Sequence, residues 1–166
     1  MFDIGRREFV ALLGGAAAWP LAARAQQGER TRRVGMLIPR AANDPESLTR
    51  IVAFQQGLRQ LGWIEGRNLR IETQWAGGSA EAIRKHSAEL AALAPDVILA
   101  HGSATVGSLL MVTSAVPIVF VAVTDPVGAG FVENLAHPGG NATGFIMFEY
   151  SLSGNGWNYS SRSRRA

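Results

Sequence analysis

The sequence contains no cysteine, which excludes several kinds of chemistry at once. Disulfide bonds, thiolate catalysis and zinc or iron–sulfur sites with cysteine ligands all require that residue. Two motifs that bind nucleotide phosphates are also missing, because no G-x-x-x-x-G-K-[ST] loop is present and no G-x-G-x-x-G run follows the first apolar stretch. No serine occupies a G-x-S-x-G turn. We therefore expect no cofactor, and the three scattered histidines predict no metal site.

Clustered basic charge is absent from the middle of the chain. The formal net charge is +3, but most arginines lie near the two ends, and no basic run occurs between Val34 and Tyr150. A nucleic-acid interface needs lysine and arginine gathered on one face of a folded element. We therefore expect no nucleic-acid partner. With 47% hydrophobic and 17% charged residues, the 166-residue chain is typical of one globular domain.

Long apolar runs are lacking too, and the one near the start is short. It extends from Phe9 to about Ala23 and is rich in glycine and alanine, whereas a membrane-spanning helix needs about 20 apolar residues. A charged start precedes it, and small residues at Ala23 and Ala25 follow the pattern of a cleavage site. Residues 1–25 are thus predicted to be an export signal that is cut after Ala25, with residues 26–32 as a linker.

The export route has two alternatives. The pair Arg6 and Arg7 resembles a twin-arginine signal, but Gly5 stands where serine or threonine is usual, so general secretion stays open. Both routes predict an exported protein, and we expect it in the periplasm.

Strand patterns recur along the rest of the chain. Three continuous apolar runs predict strands buried on both faces, which is typical of a parallel sheet covered by helices: Arg33–Pro39, Asp96–Gly102 and Pro117–Pro126. Asn68–Ala76 alternates apolar and polar residues and predicts an edge strand, and Ala142–Phe148 predicts a fifth strand. Helices are predicted at Pro45–Leu61, Ser79–Leu93, Thr105–Thr113 and Val127–Leu135.

The alternation of strands and helices predicts an open α/β fold with a parallel sheet. With the alternating strand at one edge, the expected strand order is 2-1-3-4-5. Ligands of such sheets bind outside the carboxyl ends of the strands, where the strand order reverses. The candidate ligand-binding residues are those that follow strands one, three and four: Arg40, His101, Ser103, Ala104, Thr105, Thr124, Asp125 and Pro126.

Two interpretations of these residues remain open. Where a helix begins, backbone N–H groups and the hydroxyls of Ser103 and Thr105 can hold a carboxylate or phosphate, although either side chain can equally cap the helix. His101 and Asp125 end neighbouring predicted strands, so a small exported α/β enzyme with an acid–base pair is the alternative function. We expect no enzyme, because a lone histidine often hydrogen-bonds locally and Asp125 can cap the next segment.

Several stretches resemble one protein family. They include "RVGMLIP", "FQQGLRQLGWIEGRNLRIETQWAGG" and, most specifically, "VPIVFVAVTDPVGAGFVENLAHPGGNATGF". These resemble the exported substrate-binding proteins of ABC importers, in the branch linked to aromatic amino acids or sugars, and the likeness extends from Arg6 to about Gly154. The resemblance implies a two-lobed type I periplasmic binding protein that closes on a small polar solute and delivers it to a permease.

The resemblance accounts for one lobe, which we place at residues 33–150. The tail at residues 151–166 has no helical or strand pattern and reads as a disordered end. A frameshift near Gly154 is an alternative origin of the tail, because a permitted back-translation in a shifted frame encodes a helix-like continuation. The favoured interpretation is thus an importer's binding protein that is truncated after its first lobe.

Overall fold

Residues 30–146 are described by the computed structural model of the chain, and the fold given below lies within them. The predicted signal at 1–25, most of the linker at 26–32 and the tail at 151–166 lie outside the described residues. The described strands are β1 (Arg32–Ile38), β2 (Leu69–Trp75), β3 (Val97–His101), β4 (Ile118–Val123) and β5 (Ala142–Ile146). The described helices are α1 (Pro45–Gln60), α2 (Ala80–Ala92) and α3 (Ser103–Val112).

All five strands form one parallel sheet in the order β2-β1-β3-β4-β5, which confirms the predicted fold. Val34 of β1 lies opposite Ile71 on one side and Val97 on the other, so β1 and β3 are central strands. β2 is an edge strand, as its alternating pattern predicted.

Local signals explain where the first two helices begin. The Asp44 carboxylate accepts the Ser47 N–H at 2.9 Å, and Pro45 occupies the first turn of α1, where it loses no helical hydrogen bond. Ser79 caps α2 by accepting the Ala82 N–H at 3.2 Å. Leu61, the last residue of the predicted helix, follows α1 as its C-cap and is 77% exposed.

One face of the sheet, which we call the covered face, packs against α2 and α3. Its core contains fully buried side chains from β1, β3, β4, α2 and α3: Leu37, Leu90, Ile98, Val106, Leu109, Ile118 and Phe120. The β4–β5 connection adds Val132, which is buried, and Phe131, which packs against this core. Gly35 permits the close approach of α2, because a Cβ there would lie only 3.2 Å from Leu90 Cδ2.

The opposite face, which we call the open face, packs only against α1 among the described helices. Ile51, Phe54 and Leu58 of α1 are partly buried against a core from β1 and β2, made of Val34, Met36, Ile38 and Leu69. Beyond α1, residues of β3 and β4 alternate between buried and half-buried positions. The expectation that three strands are buried on both faces is therefore confirmed for β1 and wrong for β3 and β4.

One predicted helix and the predicted start of another also need correction. The chain at 126–130 forms turns instead of the helix expected at Val127–Leu135, because Gly130 adopts φ 72° and the N–H groups of Phe131 and Val132 both return to the Pro126 carbonyl. α3 begins at Ser103, two residues earlier than predicted. Within residues 30–146, no helix combines the length and apolar character that crossing a bilayer requires.

Candidate functional site

The carboxyl ends of the parallel strands bring the predicted loops to one edge of the sheet. Backbone hydrogen bonds join two of these loops to a neighbouring strand or loop. The Gly102 N–H, after β3, donates to the Val121 carbonyl of β4 at 2.9 Å. The Gly77 N–H, after β2, donates to the Arg40 carbonyl after β1 at 3.0 Å. The loop after β3 is thus joined to β4, and the loop after β2 is joined to the loop after β1, at the edge where ligands of this fold class bind.

The N-terminus of α3 presents backbone N–H donors at this edge. Gly102 is its N-cap with φ 84°, a conformation that favours glycine, and no side chain caps the helix. Ser103 and Ala104 are exposed in the first turn. First-turn N–H groups have no partner within a helix, and the helix dipole adds positive potential there. This end of α3 can therefore accept a carboxylate.

Thr105 has a different position from its neighbours. Its side chain is fully buried, and its hydroxyl lies 3.0 Å from the His101 carbonyl and 2.8 Å from the Gly102 carbonyl, to which it donates. The hydroxyl braces the turn into α3 from inside. The backbone N–H of Thr105, and not its hydroxyl, is therefore the group that Thr105 presents at the N-terminus of α3.

The loop after β4 contributes one charged side chain to the edge. Thr124 and Asp125 are exposed, whereas Pro126 is buried and its carbonyl accepts the Phe131 N–H at 2.9 Å. The Asp125 carboxylate accepts the Gly128 N–H at 2.8 Å, which fixes its position on the turn. An exposed, oriented carboxylate of this kind can pair with an ammonium group.

The His101 side chain faces α1 on the open face. Its Nε2 lies 2.8 Å from Arg50 Nη1, and the same guanidinium pairs with Glu46 at 2.5 Å. Because a guanidinium only donates, Nε2 must accept, which assigns the ring proton to Nδ1. Nδ1 is buried and has no hydrogen-bond partner among residues 30–146.

The surroundings of His101 also set its charge. Burial, and then the nearby positive charge of Arg50, hold the pKa of His101 below its ordinary 6.5. The neutral ring and its cationic neighbour do not resemble an acid–base pair, since a catalytic histidine needs a group that orients and balances its charge. The structure places His101 and Asp125 in different surroundings, so it does not favour the enzyme alternative.

Arg40 lies beside a shallow hollow of about 460 Å³ at the ends of β1 and β2. Asn43, Gly77 and Gly78 line it as well. Asp44 stands at its rim, where hydrogen bonds from Ser47 lower the pKa of its carboxyl group, with smaller contributions from arginine charges. Sequence reasoning selected Arg40 but missed Gly77 and Gly78, because it followed strands one, three and four and passed over the two glycines after strand two.

A larger cavity of about 520 Å³ lies elsewhere, on the open face between α1 and β5. Its walls are mostly apolar and include Met36, Ile38, Phe54, Leu99, Val121 and Phe145. Arg50 and His101 stand among the lining residues and supply its charged groups. Arg50 was not predicted, because it is 51 positions from His101 and only the fold brings the two together.

Open parallel α/β sheets bind ligands at the carboxyl edge of their strands, and this chain has an uncapped helix N-terminus and an exposed carboxylate in the loops at that edge. The sequence comparison identifies the family within that class. The family model for the ABC transporter substrate binding protein matches residues 42–149, well over half of the chain. The chain therefore belongs to this family.

Individual relatives agree with that assignment. A tyrosine-binding protein of Clostridioides difficile is 32% identical over 91 residues, which are 55% of this chain and 26% of that protein. A solved conserved domain protein from Vibrio cholerae is 29% identical with a TM-score of 0.67, covering 78% of this chain and 43% of that one. An ABC domain from Streptococcus pneumoniae in complex with L-Trp is 26% identical with a TM-score of 0.64, covering 70% and 38%.

The chain therefore spans about a quarter of the length of the tyrosine-binding protein and about two fifths of the length of these two solved structures.

Proposed function

We propose that the described unit is the first lobe of an exported solute-binding protein that captures an amino acid for an ABC importer. Two relatives support an aromatic amino acid as the ligand, since one is named a tyrosine-binding protein and another was solved with L-Trp. The observation that carries the proposal is the uncapped N-terminus of α3, whose N-cap Gly102 donates its N–H to Val121 of β4, the strand that leads to the exposed Asp125.

The chemistry of this edge matches the two charges of an amino acid. The α-carboxylate would bind the first-turn N–H groups of α3 and the Ser103 hydroxyl, where backbone donors and the helix dipole favour an anion. The α-ammonium would pair with the Asp125 carboxylate, which the Gly128 N–H holds in place. Arg40 and Thr124 would contribute polar contacts at the periphery of the site.

The proposed mechanism is closure of a second lobe over the bound solute. Ligand pockets of this kind bury most of the ligand surface, and closure removes water from the polar contacts. The edge described here is open on its outer side and offers contacts from one lobe. We therefore expect this chain alone to bind tyrosine or tryptophan weakly, with a Kd above the micromolar range.

Nuclear magnetic resonance tests the site directly. When L-tyrosine is added at millimolar concentration to the ¹⁵N-labelled chain, we expect amide shifts concentrated at 102–105 and 124–125. Ser103→Ala combined with Asp125→Asn should reduce these shifts several-fold, whereas Met111→Gln, at an 86% exposed position of α3, should not. Shifts centred on other residues would contradict the proposed orientation. Shifts of equal size with tyramine, which lacks the carboxylate of tyrosine, would contradict it too.

Export is the second part of the proposal. The predicted signal at residues 1–25 would direct the chain to the periplasm, where the permease of an importer would be its partner. Mass spectrometry of periplasmic protein should find Gln26 or a nearby residue at the new terminus. Recovery of the intact Met1 chain in the cytoplasm alone would contradict export.

A further inference from the structure

Strand β4 is irregular just before its last residue. Phe120 of β4 pairs with Gly144 of β5. The next pair joins Val123 to Ile146, so two residues of β4 lie opposite one residue of β5. Such a two-against-one arrangement is a β-bulge, which bends the strand that carries it and increases its twist. Bulges are over-represented beside active sites, where they redirect a side chain.

Burial shows the same irregularity. A regular strand alternates between the two faces of its sheet. Phe120 and Val123 are both fully buried in the core of the covered face, although they are three residues apart. Between them, Val121 and Ala122 both line the cavity on the open face. The bulge therefore shifts the alternation by one residue, immediately before the loop that carries Asp125.

Ala122 adopts an unfavourable backbone conformation within this bulge. Its φ is 58°, in the left-handed region that residues other than glycine rarely adopt. Among residues 30–146, Ala94 is the other non-glycine residue with a positive φ, and it follows the end of α2, where this conformation is common. Ala122 instead lies inside a strand. Backbone strain of this kind persists where the surroundings fix it, and it is concentrated at functional sites.

Contacts with both neighbouring strands fix the bulge. On the β3 side, the last pair joins His101 to Val121, and the Gly102 N–H donates to the Val121 carbonyl at 2.9 Å. On the β5 side, a Cβ at Gly144 would overlap the Phe120 carbonyl oxygen, so glycine permits the close approach of the two strands. The direction in which β4 leaves the sheet is therefore set before the loop begins.

The Asp125 carboxylate is held from the other end of that loop. It accepts the Gly128 N–H at 2.8 Å, and a Cβ at Gly128 would overlap it. We propose that Ala122 is a positioning residue for the ligand site, because the bulge bends the end of β4 and sets the Asp125 carboxylate where the solute's ammonium group binds. This inference rests on the proposed function, and Ala122 acts through Asp125 without touching the solute.

Deletion of Ala122 tests this role. Without it, Phe120, Val121 and Val123 would alternate between core, open face and core in a regular strand, so the core keeps its residues. Amide shifts are compared for L-tyrosine and for 3-(4-hydroxyphenyl)propionate, which lacks the ammonium group. In the original chain, we expect tyrosine to give several-fold larger shifts at 124–125 than the propionate does.

The variants should differ in this discrimination between the two ligands. In the deletion variant, tyrosine and the propionate should give equal shifts at 124–125, while the shifts at 102–105 persist. Gly128→Ala should do the same, because it displaces the carboxylate without altering β4. The conservative variant Ala122→Gly keeps the left-handed conformation and should discriminate as the original chain does.

Other results would overturn the inference. Undiminished discrimination by the deletion variant would do so and leave the proposed function intact. If that variant does not unfold cooperatively, Ala122→Val replaces it, because a β-branched residue disfavours a positive φ without shortening the strand. Failure of both variants to fold would assign the bulge to core packing. Equal shifts from the two ligands in the original chain would contradict the proposed ammonium contact itself, and this inference with it.

Discussion

The two faces of the sheet differ in burial although the strands between them carry similar residues. On the covered face, Ile98, Ile118 and Phe120 have at most 1% of their surface exposed. On the open face, their strand neighbours Leu99, Val119 and Val121 remain half-buried. Alternate positions of one strand thus have equal hydrophobicity and unequal surroundings. Apolar residues at alternate positions of these strands indicate a sheet that is packed on both faces. Among the described segments, α2 and α3 cover only one face over β3 and β4.

The largest expected effect is a core truncation that separates the two faces. Phe120→Ala removes a ring from the covered core, and we expect it to lower the free energy of unfolding by about 3–5 kcal/mol. Val121→Ala, one residue along and on the open face, should cost only about 1 kcal/mol, since its methyl groups are half-buried. Urea unfolding followed by circular dichroism measures both. Equal losses would mean that the two faces are equally packed in solution.

A smaller effect is expected at the starts of the helices on the covered face. Ser79 accepts the Ala82 N–H, so Ser79→Ala should destabilise the fold by about 1 kcal/mol. Ser103 makes no capping hydrogen bond, and Ser103→Ala should change stability by less than about 0.5 kcal/mol. Thermal unfolding of the two variants compares them under identical conditions. A loss at Ser103 as large as that at Ser79 would assign Ser103 to capping and weaken its proposed role in ligand binding.

The smallest expected effect is a pH dependence that arises on the open face. Because the folded-state pKa of His101 is below 6.5, the unfolded chain takes up its proton first as the pH falls. The contribution of His101 to stability is therefore complete above pH 6.5 and is lost progressively below it, toward the folded-state pKa. Arg50 and Arg40 oppose protonation of the ring, and Glu46 partly offsets them.

Thermal unfolding between pH 7.5 and 5.5 measures this dependence. His101→Leu should flatten the decline in Tm with falling pH, and His137→Gln, at an exposed loop position, should keep it. If both variants follow the original chain, the pH dependence comes from other groups.

Periodicity and turn residues in the sequence were enough to predict the sheet order and the extents of α1 and α2. They failed between Val127 and Leu135, where apolar spacing suggested a helix but Gly130 and the Pro126 carbonyl form a turn. Helical spacing counts apolar side chains, whereas backbone hydrogen bonds and positive φ angles decided this segment. Here a strong local signal overrode a weaker periodic one.

The candidate site was predicted unevenly for a similar reason. Fold class alone leads to the loops after each strand, which is how Ser103 and Asp125 were selected. It does not reveal which way a side chain at the last strand position points, and His101 faces Arg50 on the open side. Likewise, residue type could not show that the Thr105 hydroxyl is consumed inside the turn. Side-chain direction and long-range pairs appear only in three dimensions.

The hydrogen bond from the Gly102 N–H to the Val121 carbonyl has a mechanical consequence. It joins the first residue after β3 to the backbone of β4, so the start of α3 cannot move away from β4 without breaking this hydrogen bond. A solute that contacts both the start of α3 and the loop after β4 would therefore bind to strands that are already hydrogen-bonded to each other. In hydrogen exchange, the Gly102 amide should be slow and should slow little further on ligand addition, because this half of the site is already set before the solute arrives.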